Sequence, residues 1–349
     1  MADPAGPLRV GLCGLGEIGQ HHLRAIRDCE AAELVAVSDL DRDLAERSAE
    51  DGSASGAATT FPTSVYTEID QMLAEEELDL VDICLPHNLH LPVALSAIEA
   101  GCHVLLEKPM AIDTESCDLI IDAAGRKGVR VAVSHNQFFY EPHVRLRQLI
   151  EAGDLGEPQS LYARLWIGGK YRGWREDAGR SGGGLLIDAG VHRVYTMLML
   201  GGPVRSVTTV MDSPRSEDGF VVTLGFASGA NGVIQGAYHG PEGIFDDRIE
   251  VLASGGVAEV RGCEAFFEGD LPDGPKLRLR LDGTWRDDPV DDAWDASVAR
   301  SVDRLLTAIA TGDEPEVDGQ AGRDAVEVIQ AAYRSAETGS TVTLGEGGQ

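Results

Sequence analysis

At 349 residues the chain exceeds the ~100–150 residues of a typical domain, so two domains are expected. Hydrophobic residues make up 43% and charged residues 25%, which excludes wholesale disorder. Asp and Glu number 58 against 29 Lys and Arg, a formal charge of −29 that disfavours nucleic acid and anionic membrane as partners; solubility is its plainer meaning.

No apolar run approaches the ~20 residues of a membrane span. The opening Met1-Ala2-Asp3-Pro4 lacks the basic and apolar regions of a signal peptide. Cysteines at 13, 29, 84, 102, 117 and 263 form no CxxC pair. A cytoplasmic protein with buried thiols is expected, with neither a disulfide framework nor a zinc site.

The first third alternates strand and helix patterns. Apolar runs at 8–13, 34–37, 78–85, 103–106 and 129–133 read as buried strands. Helical spacing occupies 18–26, 41–49, 90–100 and 113–127, and the small polar stretch 51–60 reads as a loop or a short helix with a loose end. Apolar strands alternating with amphipathic helices predict a parallel sheet covered on both faces. After about Gln137 the character changes. A helix at 142–152 precedes strand patterns at 159–167, 204–211, 220–227, 233–238, 248–252, 257–260 and 276–281, many joined by short Gly/Asp/Ser turns that suit an antiparallel sheet. One long helix is predicted near 185–200, two more at 293–310 and 321–337, and a last strand at 341–344. The expected division is an α/β domain over 1–135 and an α+β domain with a large antiparallel sheet over 136–349, whose last helices pack back on the first.

Gly14-Leu15-Gly16-Glu17-Ile18-Gly19 is G-x-G-x-x-G, placed between a predicted strand and a predicted helix. The first Gly permits the tight turn, the second lets backbone approach a pyrophosphate, and the third allows close helix–strand packing. Asp39 closes the second strand 20 residues past Gly19, a spacing that suits a carboxylate accepting from ribose hydroxyls. A carboxylate there repels a 2′-phosphate and Leu40 cannot contact one, so NAD is favoured over NADP; Arg42 is the residue that argues the other way.

Three further segments resemble the glucose–fructose oxidoreductase / inositol dehydrogenase (Gfo/Idh/MocA) family. Leu85-Pro86-His87-Asn88-Leu89-His90 is similar to its T-P-N-x-x-H loop, with Leu85 and His87 replacing Thr and Asn. Glu107-Lys108-Pro109 matches its E-K-P. The run from Gly182 to His192 is close to G-G-G-x-L-x-D-x-G-x-H, with Trp174-Arg175 matching a frequent W-R upstream. The resemblance implies a Rossmann domain plus a domain on a large, mostly antiparallel open sheet, and dimers or tetramers packed through that sheet. It also implies that Leu85, Pro86, His87, His90 and Glu107 flank the nicotinamide side.

Chemistry can be argued beside the resemblance. Asp188 and His192 stand four residues apart, so on one helix they share a face. With no third ligand nearby a metal is not expected. An isolated pair of this kind is more often structural, but the glycine cluster and Lys108 weigh toward catalysis. Lys108 follows a predicted parallel strand at the edge where ligands bind, placed to donate to a substrate oxygen. His21 and His22 are read as lining the cofactor cleft, His103 as strand packing, and Asn136 as a candidate to meet the cofactor. Trp166, Tyr171, Arg172 and Trp174 form an aromatic and basic cluster suited to sugar C–H faces, and His239 is a further substrate candidate.

The function expected is an NAD-dependent oxidoreductase acting on a secondary alcohol of a sugar, aminosugar or cyclitol. His192 takes the hydroxyl proton, Lys108 stabilises the oxygen, and Asp188 fixes the imidazole. Two other classes stay open. One is an enzyme that retains NAD and uses transient oxidation for epimerisation, elimination or glycoside cleavage. The other is a non-catalytic dinucleotide-binding regulator, which would be expected to have lost Lys108 or His192.

Overall fold

The computed structural model describes residues 6–50, 62–169, 173–238, 240–241, 243–262 and 274–345. The loop or short helix expected at 51–60, Cys263, and the candidates Tyr171, Arg172 and His239 lie outside the described residues. The chain divides into two units, Met1–His135 with Val298–Arg323, and Asn136–Ser297 with Asp324–Gln349.

In the first unit, β1 (Leu8–Cys13), β2 (Ala32–Ser38), β3 (Ser64–Tyr66), β4 (Leu80–Ile83), β5 (His103–Glu107) and β6 (Val131–Ser134) form one parallel sheet in the order β3-β2-β1-β4-β5-β6. Helices α1 (Glu17–Asp28), α2 (Arg42–Glu50), α3 (Ile69–Glu75), α4 (His90–Glu99) and α5 (Thr114–Lys127) supply the crossovers. Every residue of β4 is buried, as a strand covered on both faces requires. Order reverses at β1, which pairs with β2 on one side and β4 on the other. Their carboxyl ends therefore form the switch point where such sheets bind ligands. The short elements β3 and α3 carry too few apolar residues to stand out in sequence, and β3 exists through its pairing of Ala36 with Ser64 and Ser38 with Tyr66. Asp113 caps α5, its Oδ1 accepting from Ser116 N–H at 2.8 Å.

The second unit holds α6 (Glu141–Glu151), β7 (Pro158–Ile167), α7 (Ala178–Ser181), α8 (Leu185–Asp188), α9 (Gly190–Gly201), β8 (Val204–Met211), β9 (Gly219–Phe226), β10 (Asn231–Ala237), β11 (Phe245–Ala253), β12 (Gly256–Arg261), β13 (Leu277–Leu281), β14 (Thr284–Asp288) and β15 (Val342–Thr343). Its nine strands run β14-β13-β12-β11-β7-β10-β9-β8-β15. The described pairings are antiparallel except β7 with β10. Along β7 the residues Leu161, Ala163 and Leu165 are buried, and α9 packs on β7 and β10. Helices α10 (Trp294–Thr311) and α11 (Gly319–Thr338) contribute residues to both units.

The helix predicted near 185–200 is two helices. The backbone turns at Ala189 (φ −101°), which ends α8 and opens α9. Among the described residues no helix is long and apolar enough to cross a membrane.

Candidate active site

The glycine-rich turn joins β1 to α1. Gly14 adopts φ +89°, and a methyl group there would overlap the Cys84 carbonyl of β4's end. A methyl group on Gly19 would overlap the Gly14 carbonyl, so helix and strand sit as close as backbone permits. Gly16 faces open space, with nothing within 4 Å of the position of an added Cβ. It is also the N-cap of α1 and provides no side-chain cap, so the first-turn N–H groups of Glu17, Ile18 and Gly19 meet no capping side chain. Asp39 lies directly beside this turn: Oδ2 accepts from Leu15 N–H at 2.7 Å and Oδ1 from Asp41 N–H at 2.9 Å. Leu40 is 85% exposed. An uncapped helix N-terminus, an open glycine and a fixed carboxylate fit a dinucleotide's pyrophosphate and ribose.

Two neighbouring loops complete the carboxyl edge of this sheet. After β4, Leu85 and Pro86 lead into a 3-10 turn at His87–Leu89. The buried His90 ring spans two carbonyls, with Nδ1 and Nε2 each 2.9 Å from Pro109 O and Leu85 O respectively. It therefore packs between the L-P-H loop and the E-K-P turn, one ring N–H donating to one of the two carbonyls, and its burial pulls its pKa below the ordinary histidine value. After β5, Lys108 is half-buried, precedes a cis peptide bond to Pro109, and donates its N–H to Glu107 Oε2 at 3.2 Å. His135, directly after β6, is fully buried; burial pushes its pKa down to about 3, with the Lys108 charge adding to the effect, so the ring is neutral.

His22 corrects the sequence reading. It faces the core of this unit, fully buried, and does not line a cleft. Nδ1 is 2.8 Å from Asp82 Oδ2, and Nε2 is 3.4 Å from Glu107 Oε1. Ser134 Oγ lies 3.5 Å from the same Nε2 and 3.3 Å from Ser301 Oγ. Burial alone would push the ring's pKa down, but the charge and hydrogen bond of Asp82, with Cys84 adding, hold it well above the ordinary histidine value. Asp82, His22 and Cys84 also have metal-ligand chemistry and lie close together; the hydrogen bonds already account for their grouping. The sequence signal was the acid inside the apolar run Leu80-Val81-Asp82-Ile83.

In the second unit Asp188 closes α8 and is 5% exposed, and His192, half-buried, is the third residue of α9. The Asp188 carboxylate accepts from Arg175 Nε–H at 3.1 Å, an ion pair absent from the sequence expectation, which assigned Asp188 to the imidazole. The Arg175 guanidinium in turn stacks on the Trp174 ring at 4.4 Å. The W-R dipeptide thus acts on the D-x-G-x-H segment from 13 residues upstream. Trp166 departs from the expected cluster. Strand alternation turns it to the exposed face of the sheet, opposite the face α9 covers, where Arg164 stacks on it at 4.5 Å. Asn136 is buried and donates from Nδ2 to Ser297 Oγ at 2.8 Å.

A parallel sheet with a dinucleotide turn and, in the same chain, a mostly antiparallel sheet with a D-x-G-x-H segment define a dinucleotide-dependent oxidoreductase. Residues 8–135 match the model of an oxidoreductase family with an NAD-binding Rossmann fold, and residues 143–286 match that of the GFO/IDH/MocA C-terminal domain. The chain belongs to the GFO/IDH/MocA family. It is 25% identical to the myo-inositol 2-dehydrogenase of Thermotoga maritima, over 97% of this chain and 99% of that protein. It is 30% identical to inositol 2-dehydrogenase 4 of Saccharopolyspora erythraea, over 73% of this chain and 74% of that protein. The crystal structure of an aldose-aldose oxidoreductase from Caulobacter crescentus, solved with glycerol, superposes with a TM-score of 0.84 at 26% identity, covering 97% of this chain and 100% of that one.

Proposed function

We propose that the protein is an NAD-dependent dehydrogenase acting on a secondary alcohol of a sugar, aminosugar or cyclitol. The observation that carries this reading is the coexistence of the Asp39-bearing glycine turn with Lys108 at the carboxyl end of β5 and the Asp188/His192 pair at the α8–α9 junction. The inositol and aldose specificities named for its relatives support the substrate class.

Gly16 and the first turn of α1 would hold the pyrophosphate, and Asp39 the adenosine ribose. The carboxylate excludes a 2′-phosphate by charge, so NAD is preferred to NADP. The nicotinamide ring, when bound, supplies the hydride acceptor. Lys108 donates a hydrogen bond to the alcohol oxygen and stabilises its developing charge. His192 takes the hydroxyl proton. Asp188, oriented by Arg175, holds the imidazole in one tautomer.

The test is NAD+ and NADP+ reduction, followed by absorbance, with a panel of inositols, aldoses and aminosugars. Accumulating NADH with at least one polyol is expected, with NAD+ preferred. Replacing Asp39 and Leu40 (Asp39→Ser with Leu40→Arg) shifts that preference toward NADP+. Lys108→Ala lowers turnover roughly 10²–10⁴-fold while dinucleotide binding changes by less than about tenfold. Product formation without NADH release would sink the dehydrogenase reading in favour of retained-cofactor chemistry.

A further inference from the structure

The loop between β8 and β9 carries a buried acid that no step above uses. Arg215, at φ +64°, anchors the loop on α11: its Nε donates to Glu337 Oε1 at 2.7 Å and its guanidinium lies 5.3 Å from the Tyr333 ring centroid. Two residues on, Glu217 turns inward and is fully buried. Four donors converge on it. Oε1 accepts from Leu186 N–H at 2.8 Å and from Tyr333 Oη–H at 3.1 Å. Oε2 accepts from Gly184 N–H at 3.3 Å, and the backbone carbonyl from Leu185 N–H at 3.0 Å. The three amides are those at the start of α8, a single turn whose last residue is Asp188. The fit leaves no slack: a methyl group on Gly184 would overlap the Glu217 backbone, and one on Gly183 would overlap the Tyr333 hydroxyl.

A four-residue helix has almost no intrinsic stability, because its nucleation cost is not repaid by propagation. Its position must be set from outside. We infer that Glu217, held by Tyr333, is the positioning residue that fixes the α8–α9 junction and so aims Asp188 and His192 at the substrate. A carboxylate is the side chain that answers three converging donors, being acceptor-only when ionised. A glutamine of the same length turns an N–H toward one of those donors. The expected result is a small shift of α8, and a misplacement of about 1 Å at reacting groups costs on the order of 10²-fold in rate. This inference rests on the proposed roles of Asp188 and His192.

The test compares Glu217→Gln, Tyr333→Phe, Asp188→Asn and the double variant Glu217→Gln/Asp188→Asn in the full chain. The probes are NAD+ and whichever polyol the wild type oxidises best. Expected for Glu217→Gln are a kcat lowered about 10²-fold and a KM within about threefold. Tyr333→Phe, which removes one bond and keeps the ring, follows in the same direction at about a tenth of the effect on rate. The Glu217→Gln effect shrinks or vanishes in the Asp188→Asn background, because both act through one segment. Hydrogen exchange read by mass spectrometry shows faster exchange confined to peptides spanning 184–192.

Wild-type kcat in both Glu217→Gln and Tyr333→Phe, or losses that multiply independently in the double variant, would overturn the inference. So would faster exchange spread evenly over the second unit, the mark of a merely structural role. Failure of the underlying reading is distinguishable, since it shows as wild-type turnover in Asp188→Asn itself.

Discussion

His22 is the residue whose environment most contradicts its place in the sequence. Three positions past Gly19, on α1, the His22 ring is buried between Asp82 and Glu107. Its folded pKa stands well above the unfolded value near 6.5. The stabilisation is therefore fully present below about pH 6.5 and is lost as pH rises through the folded pKa. His22→Gln should cost about 3–5 kcal/mol near neutral pH, the scale of breaking a buried pair, and the gap to wild type should narrow in alkaline solution. Urea unfolding at a series of pH values measures it; a pH-independent gap would refute the charged state. Arg175 works on the opposite principle. Its side chain is a third exposed, so its ion pair with Asp188 contributes little to stability, but it orients a carboxylate beside the proposed base. Arg175→Leu should lower kcat about tenfold with little change in thermal midpoint. A midpoint loss matching the activity loss would leave Arg175 a structural residue only.

Elements meet here at glycines because backbone must touch backbone. Gly19 lets α1 approach the Gly14 carbonyl, and Gly14 in turn lies against the end of β4. Gly19→Ala forces α1 away from β1 by the width of a methyl group. The first-turn amides then no longer converge, and NAD+ affinity measured by calorimetry should fall by more than about tenfold. Unchanged affinity would show that the turn tolerates the shift. The predicted helix over 185–200 shows the same dependence on neighbours. The chain breaks at Ala189, just before Gly190, a poor helix former, while Glu217 in the hairpin loop takes the amides of 184–186 at the start of α8. Asp188 and His192 therefore sit on two helices, four residues apart across a turn.

At the scale of the molecule, the nine-stranded sheet presents one apolar face to α9 and one mixed face to solvent. Val204 and Val207 on β8 are both buried although three residues apart. A register shift between Val204 and Ser206 sets that phase. The outward apolar residues are Val210, Val221, Leu252 and Trp166. Association of copies through this face is the expected way to cover them. The −29 charge opposes it, so association should strengthen as salt screens the repulsion. Light scattering at low and high salt checks this, with Val210→Glu/Val221→Glu as the dissociating variant. A monomer at every salt concentration would contradict the expectation.

Periodicity and motif spacing pointed to the parallel sheet, the dinucleotide turn and the antiparallel second sheet, and the family resemblance singled out Lys108, Asp188 and His192 as the candidates proposed above. These are local properties: a glycine spacing, an alternation, a short run of residues that must share one turn or strand end. What tertiary structure decided is every pairing between groups distant in sequence. His22 meets Asp82 across 60 residues, Glu217 reaches Leu186 from 31 residues away, and Trp166 faces outward because β7 has one covered side. No sequence window contains those partners, because burial in a shared core, and the need to satisfy each buried charge and amide there, selects them only once the chain has folded.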